Sequence, residues 1–219
     1  MATIKKMKMK KTIFIITILL SVNLYAQNIK YKSGLYLTFE ELIKNHPSSN
    51  INVELEKRTT HQIKMYGGND YKLNPIEKSA KKKYLKKEVC AYSDGENIFL
   101  NLYKYDIQSG YVKILSNKSA LIFKAGLPSK PKDYGIDTAN LSSMFGAIGG
   151  AFNGVKLAML RFPYVLNKSS QNVILVTSEN LHEVINSDKE LLLKYESESN
   201  EKNIDLIIQY LIDWNENKL

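Results

Sequence analysis

Apolar residues follow three rhythms along this chain. Near the start they form one run, 13–20, interrupted only by Thr17. Between residues 89 and 123 they come in short stretches separated by turn residues, as in strands. From residue 177 onward they recur every three or four positions, as on helices.

The middle stretch reads most clearly. A strand over 89–92 leads into Ser93-Asp94-Gly95-Glu96, and a second strand runs over 97–103. Asp-Gly between two such runs marks a hairpin, because Gly accepts positive φ without steric cost. A turn over 106–110, a strand over 111–115, a turn over 116–118 and a strand over 120–123 complete an antiparallel meander. No connection between these strands is long enough for a parallel crossover.

Earlier, Thr38-Phe39-Glu40-Glu41 is a capping box opening a helix that ends near Lys44, before Asn45-His46-Pro47. Alternation predicts a strand over 52–56 and a further short strand over 63–66, followed by the turn Gly67-Gly68-Asn69-Asp70. Residues 126–134, with Pro128 and Pro131, read as a loop. Residues 142–160 read as a glycine-rich helix that Arg161-Phe162-Pro163 ends. Two strands, 164–166 and 173–176, flank a turn over 168–171. Thr177 caps a helix carrying Leu181 and Ile185, Ser187-Asp188-Lys189-Glu190 is a capping box before 191–195, and a last amphipathic helix covers 203–214.

The apolar run at the start changes what counts as the folded protein. Lys5, Lys6, Lys8, Lys10 and Lys11 precede it, and Ala26 sits before Gln27, the order of a secretory signal with a cleavage site. The run is shorter than the roughly 20 residues of a membrane span, so cleavage rather than anchoring is expected. No Cys follows it for lipid attachment. The expected address is the periplasm, the cell envelope or the exterior. The expected organisation is a signal peptide over 1–26 and one α+β domain over 27–219. Within it, 27–125 holds the N-terminal helix and β-meander, 126–141 a loop, and 142–219 the glycine-rich helix, a short hairpin and the C-terminal helices.

Removing the leader also corrects the charge. It takes five Lys and no acid, so the formal +9 falls to +4, from 26 basic and 22 acidic residues. That excess is weaker than a nucleic-acid binder shows, and only two residues, Arg58 and Arg161, are arginine. The expectation is no nucleic acid. The lone Cys90 excludes an intrachain disulfide and reads as a small buried residue of a strand.

Two features stand out as candidate surfaces. Gly146, Gly150, Gly154 and Ala158 recur every four residues, a smooth stripe for close packing on a sheet or for association with membrane or a second copy. Asn153, Lys156 and Pro163 interrupt it, and a mid-helix Lys costs about 2.5–3.5 kcal/mol on insertion into a bilayer. The second is a run of lysines, Lys78, Lys81, Lys82, Lys83, Lys86 and Lys87. It reads as a solvated loop before a strand, or as a contact for an anionic surface made by Lys81, Lys82, Lys83, Lys86 and Lys87. Tyr92, Tyr103, Tyr105 and Tyr111 read as strand packing, or as a ligand-stacking face.

Catalytic constellations are missing from the sequence. His46, His61 and His182 have no metal-ligand spacing, Asp94 and Glu96 are explained by their turn, and no nucleophile elbow, phosphate loop or dinucleotide fingerprint occurs. No cofactor and no metal is expected.

The chain resembles a family of secreted Bacteroidota proteins of unknown function. The likeness rests on residues 34–42 (GLYLTFEEL), 93–101 (SDGENIFLN), 146–151 (GAIGGA), 161–166 (RFPYVL) and the helical tail after Thr177. Asn167 stands where such relatives often carry Asp. The resemblance implies an envelope or secreted protein with the glycine run as a shared feature, and carries over no catalytic residue. Together these readings predict a non-enzymatic binding or scaffolding module. Its alternatives are a membrane-associated or self-associating protein using the glycine stripe, and then a cryptic hydrolase.

Overall fold

Among the described residues of the computed structural model, nine strands form one sheet, every paired neighbour antiparallel. The structure describes residues 30–217 except 50, 77–80, 139–140, 142–143 and 145–153, and only the main chain of 154–156. From Tyr31 onward the chain forms one unit. The expected α+β class and antiparallel meander are both present.

The meander strands are β4 (Ala91–Ser93), β5 (Ile98–Asn101), β6 (Tyr111–Ser116) and β7 (Ala120–Ala125). It does not close at β7. The pair β8 (Phe162–Asn167) and β9 (Val173–Leu175), expected as a separate short hairpin, continues the same sheet, because β8 pairs with β7 along its whole length. At the other end β1 (Gly34–Tyr36) pairs with β4. The hairpin of β2 (Val53–Lys57) and β3 (Tyr71–Pro75) joins through one pairing, Tyr71 with Tyr111.

Strand β6 therefore shares one edge between β3 and β7. Buried Asn69 stitches the place where those two part. Its Nδ2 donates to the Ile107 carbonyl (2.9 Å), and its Oδ1 accepts from the Gly126 amide (3.0 Å). Such a gap would otherwise strand main-chain groups without partners, at about 1–3 kcal/mol each.

Helices cover both faces. On one, α5 (Leu181–Ile185), α6 (Lys189–Glu196) and α7 (Ile204–Asn217) build the main core with β6–β8, and Ile207, Leu211 and Trp214 of α7 are its buried stripe. Helix α1 (Phe39–Ile43) adds Phe39 and Leu42. On the other, Leu35, Leu73, Leu85, Val89, Phe99 and Tyr111 form a second cluster beneath α3 (Lys82–Lys87). Side chains alternate between these cores along β5: Ile98 and Leu100 enter the first, Phe99 the second. All four β5 residues are consequently buried.

Two of the three capping predictions hold with adjustments; the third does not, since Asn180 rather than Thr177 precedes α5, and Thr177 Oγ1 accepts from the Asn180 amide (3.3 Å) one turn earlier. Thr38 Oγ1 accepts from the Glu41 amide (3.1 Å), while Glu41 reaches past Thr38 to the Leu37 amide (2.7 Å). Asp188, not Ser187, caps α6 by accepting from the Leu191 amide (3.0 Å), and Ser187 accepts instead from Trp214 Nε1 (3.0 Å). Asn215, fully buried in α7, accepts from Ser119 and Ala120 amides and donates to Ser116 Oγ and the Ala120 carbonyl. One amide thus locks the last helix onto the β6–β7 turn.

Three local expectations are corrected. Residues 63–66 are not a strand but the end of helix α2 (Thr60–Tyr66). Thr59 and Gln62 form a reciprocal capping box, with Gln62 N–H to Thr59 Oγ1 at 3.2 Å and Thr59 N–H to Gln62 Oε1 at 2.8 Å. The lysine run is not a loop over 82–87 but helix α3, pinned by one buried residue, Leu85. The strand expected over 97–103 stops at Asn101, and Tyr103–Tyr105 is a 3₁₀ turn. Of the predicted glycine-rich helix, α4 (Gly154–Met159) is described and lies beside α2. Gly146 and Gly150 lie outside the described residues.

Candidate anion-binding cleft

Helix α3 carries four lysines within six residues, and the sheet below it fixes where they point. Tyr111 and Asn101, paired across β6 and β5, both reach the end of this helix. The Tyr111 hydroxyl donates to the Leu85 carbonyl (2.5 Å), while Asn101 Nδ2 donates to the carbonyls of Lys86 (2.9 Å) and Val89 (2.7 Å). These bonds satisfy C-terminal carbonyls that a short helix leaves without partners. Both donors are buried, and burial pushes the Tyr111 hydroxyl far above its ordinary pKa, so it stays a donor.

Beside this helix opens a cleft of about 380 Å³. Lys82 and Lys86, one helical turn apart, form one wall. Tyr71, Lys72 and Asn74 of β3 lie along it, and Arg58 with Gln62 and Tyr66 of α2 forms the far wall. Four of the described lining residues are cationic and none is a carboxylate.

Glu56 organises the far side from just outside the lining. Its carboxylate meets Lys72 Nζ at 2.9 Å, Asn74 Nδ2 at 2.8 Å and Gln62 Nε2 at 3.1 Å. The Lys72 bond, then those of Gln62 and Asn74, hold its carboxyl down at about 2. Register places it there, since Glu56 stands opposite Lys72 in the β2–β3 hairpin. One acid thus orients three lining side chains.

Arg58 contributes positive charge, but its terminal nitrogens are engaged by main chain, Nη1 with the Asn69 carbonyl (3.1 Å) and Nη2 with that of Gln62 (3.2 Å). Arg161 holds the same loop through Asp70 Oδ1 (2.7 Å) and the Gly68 carbonyl (3.2 Å). Burial and the neighbouring Arg161 charge lower the Arg58 pKa.

The structure thus brings two lysines of the sequence-derived basic set, Lys82 and Lys86, into the cleft. Lys86 and Lys87 also stand 5.4 and 5.5 Å from the Tyr103 ring centre, a cation–π arrangement. Lys81 is the residue before α3, and Lys83 is exposed on it. Arg58, Gln62, Lys72, Asn74 and the organising Glu56 were not singled out from the sequence. The Thr59–Gln62 capping box was the available signal for the helix that presents Gln62 and Tyr66.

The tyrosines do not form one face. Tyr92 and Tyr111 pack in the second cluster, and Tyr105 borders the main core. Asp94 makes its turn by accepting from the amides of Glu96 (2.9 Å) and Asn97 (2.7 Å). His46, His61 and His182 are exposed. Among the described residues no three His, Cys, Asp or Glu side chains gather as metal ligands. Cys90 is buried, and that burial pushes its thiol up to about 11. No helix among the described residues is long and apolar enough to cross a membrane.

An antiparallel sheet with helices on both faces and a lysine-edged cleft defines an α+β protein with a candidate anion site. The chain belongs to the family of unknown function DUF6563, whose model matches residues 34–218. Comparison with curated proteins and with solved structures finds no match.

Proposed function

We propose that this is an exported, non-enzymatic binding module of the envelope or the secreted fraction, which holds an anionic ligand in the cleft between α2, α3 and β3. The carrying observation is the cleft lining, with four cationic side chains and no carboxylate among the described residues. A concave site of this size suits a small ligand or the end of a polymer. The basic, apolar and small-residue order of residues 1–26 supports export.

Two experiments test this reading. Fractionation of the host with mass spectrometry of the N-terminus is expected to find Gln27 as the first residue outside the cytosol; intact Met1 in the cytosol overturns export. Titration of the protein with citrate, tripolyphosphate and a heparin tetrasaccharide is expected to show saturable binding to at least one. The double substitution Lys82→Gln with Lys86→Gln should remove that binding, whereas Lys189→Gln with Lys202→Gln, equal in charge but on other elements, should not. Equal loss in both variants, or no binding at all, overturns the cleft as the site.

A further inference from the structure

We propose that the ligand of this cleft is an acidic oligosaccharide, an inference that rests on the anion-binding reading above. Three kinds of group meet there, and an acidic sugar chain uses all three. The ammonium groups of Lys82 and Lys86 line the cleft one helical turn apart, and that of Lys72, bridged to Glu56 at 2.9 Å, lies on β3. Spread point charges suit carboxylates or sulfates on successive sugar units. A single phosphate is better held by a guanidinium fork, and both Arg58 terminal nitrogens are already given to carbonyls.

Aromatic faces are the second group. Tyr66 ends α2 with 79% of its surface exposed, and it lines the cleft together with Tyr71. Tyr71 is held edge-on against Phe99, ring centres 4.9 Å apart. An exposed tyrosine ring at a cleft mouth offers a rigid apolar face with a polar tip, as the flat side of a sugar ring requires.

Amides are the third. Glu56 holds the nitrogens of Gln62 and Asn74. Both ends of the Gln62 amide are used, its Oε1 by the Thr59 amide, so Asn74, which lines the cleft beside the lysines, is the amide a sugar hydroxyl would meet. A flat anionic bilayer meets none of these recessed amides and favours a convex basic surface, so it is the weaker occupant.

Calorimetric titration decides between the occupants. The probes are tetragalacturonate, a heparin tetrasaccharide, a neutral cellotetraose, tripolyphosphate and phosphatidylglycerol vesicles. At least one acidic tetrasaccharide is expected to bind one-to-one, at least tenfold more tightly than cellotetraose or tripolyphosphate. Tyr66→Ala, at an exposed position with circular dichroism as the folding check, should weaken it about tenfold and leave its salt dependence unchanged. Lys82→Gln with Lys86→Gln should weaken it at least as much and flatten the salt dependence. Tripolyphosphate or vesicles binding as tightly as the sugars, or a Tyr66→Ala variant that binds them like the parent, overturns the saccharide and leaves the anion site standing. Binding to no anion overturns both.

Discussion

Asn101 and Tyr111 stand directly opposite one another across β5 and β6, and both donate to main-chain carbonyls at the end of the lysine-rich helix α3. The helix has only Leu85 fully in the core, so this pair of polar anchors decides how firmly Lys82 and Lys86 are held.

Tyr111→Phe removes one anchor while keeping the ring in the second cluster. The lost bond leaves the Leu85 carbonyl with only the weaker Asn101 contact at 3.5 Å. The expected cost is about 1–2 kcal/mol, read as a lower urea midpoint with unchanged slope. Hydrogen exchange at the Glu88 amide, bonded to the Tyr84 carbonyl, should quicken.

Asn215→Leu should be more damaging, because it strips several partners at once. The Ser119 and Ala120 amides lose their acceptor next to an apolar core, and the Ala120 carbonyl and the Ser116 hydroxyl, which keeps its bond to Glu216, lose a donor. A loss of about 2–4 kcal/mol is expected from denaturant unfolding.

Gly68 and Gly135 give a controlled comparison. Both have positive φ, but a Cβ at Gly135 meets open space, whereas one at Gly68 would lie 2.4 Å from Arg58 Nη1 and 2.8 Å from the Ser109 carbonyl oxygen. Gly135→Ala should cost about 1 kcal/mol in backbone strain alone. Gly68→Ala should cost about 2–3 kcal/mol and displace Arg58, which thermal unfolding of the two variants would separate.

Glu56 predicts an acid dependence. Its carboxyl sits at about 2 in the folded chain against an ordinary 4.5. The folded state therefore binds this proton less readily than the unfolded one. Its stabilising contribution is complete above about pH 4.5 and fades as pH falls toward 2. Urea midpoints of the parent and of Glu56→Gln should differ at pH 7 and converge only as the pH falls to about 2.

Cys90 predicts an inert thiol. With burial lifting it to about 11, it is protonated at pH 8, and it is shielded by the main core it packs in, just before β4 rather than within the strand expected over 89–92. A disulfide reagent should leave the folded protein unmodified and label it fully in 6 M guanidinium.

Much of the scaffold was readable because its signals are local. Asp94-Gly95 makes its turn, Thr38 caps its helix, and Ile207, Leu211 and Trp214 fall on the buried side of α7. Residues 63–66 misled because four residues are too few for a period to declare itself, and the Thr59–Gln62 box upstream outweighs them. The cleft was legible only through its lysines. Its remaining parts come from segments between Arg58 and Tyr111 that no spacing rule connects. The register of β2 on β3 brings Glu56 to Lys72, and such pairing is a tertiary fact.

Both arginines of this chain are spent on holding the loop before β3, so ammonium groups dominate the positive rim of the cleft. Ammonium groups are compact, strongly hydrated and carried on flexible stems. Such a rim would grade its guests by charge density more than by bond angle, and occupancy would fall as the ionic strength of the surrounding fluid rises.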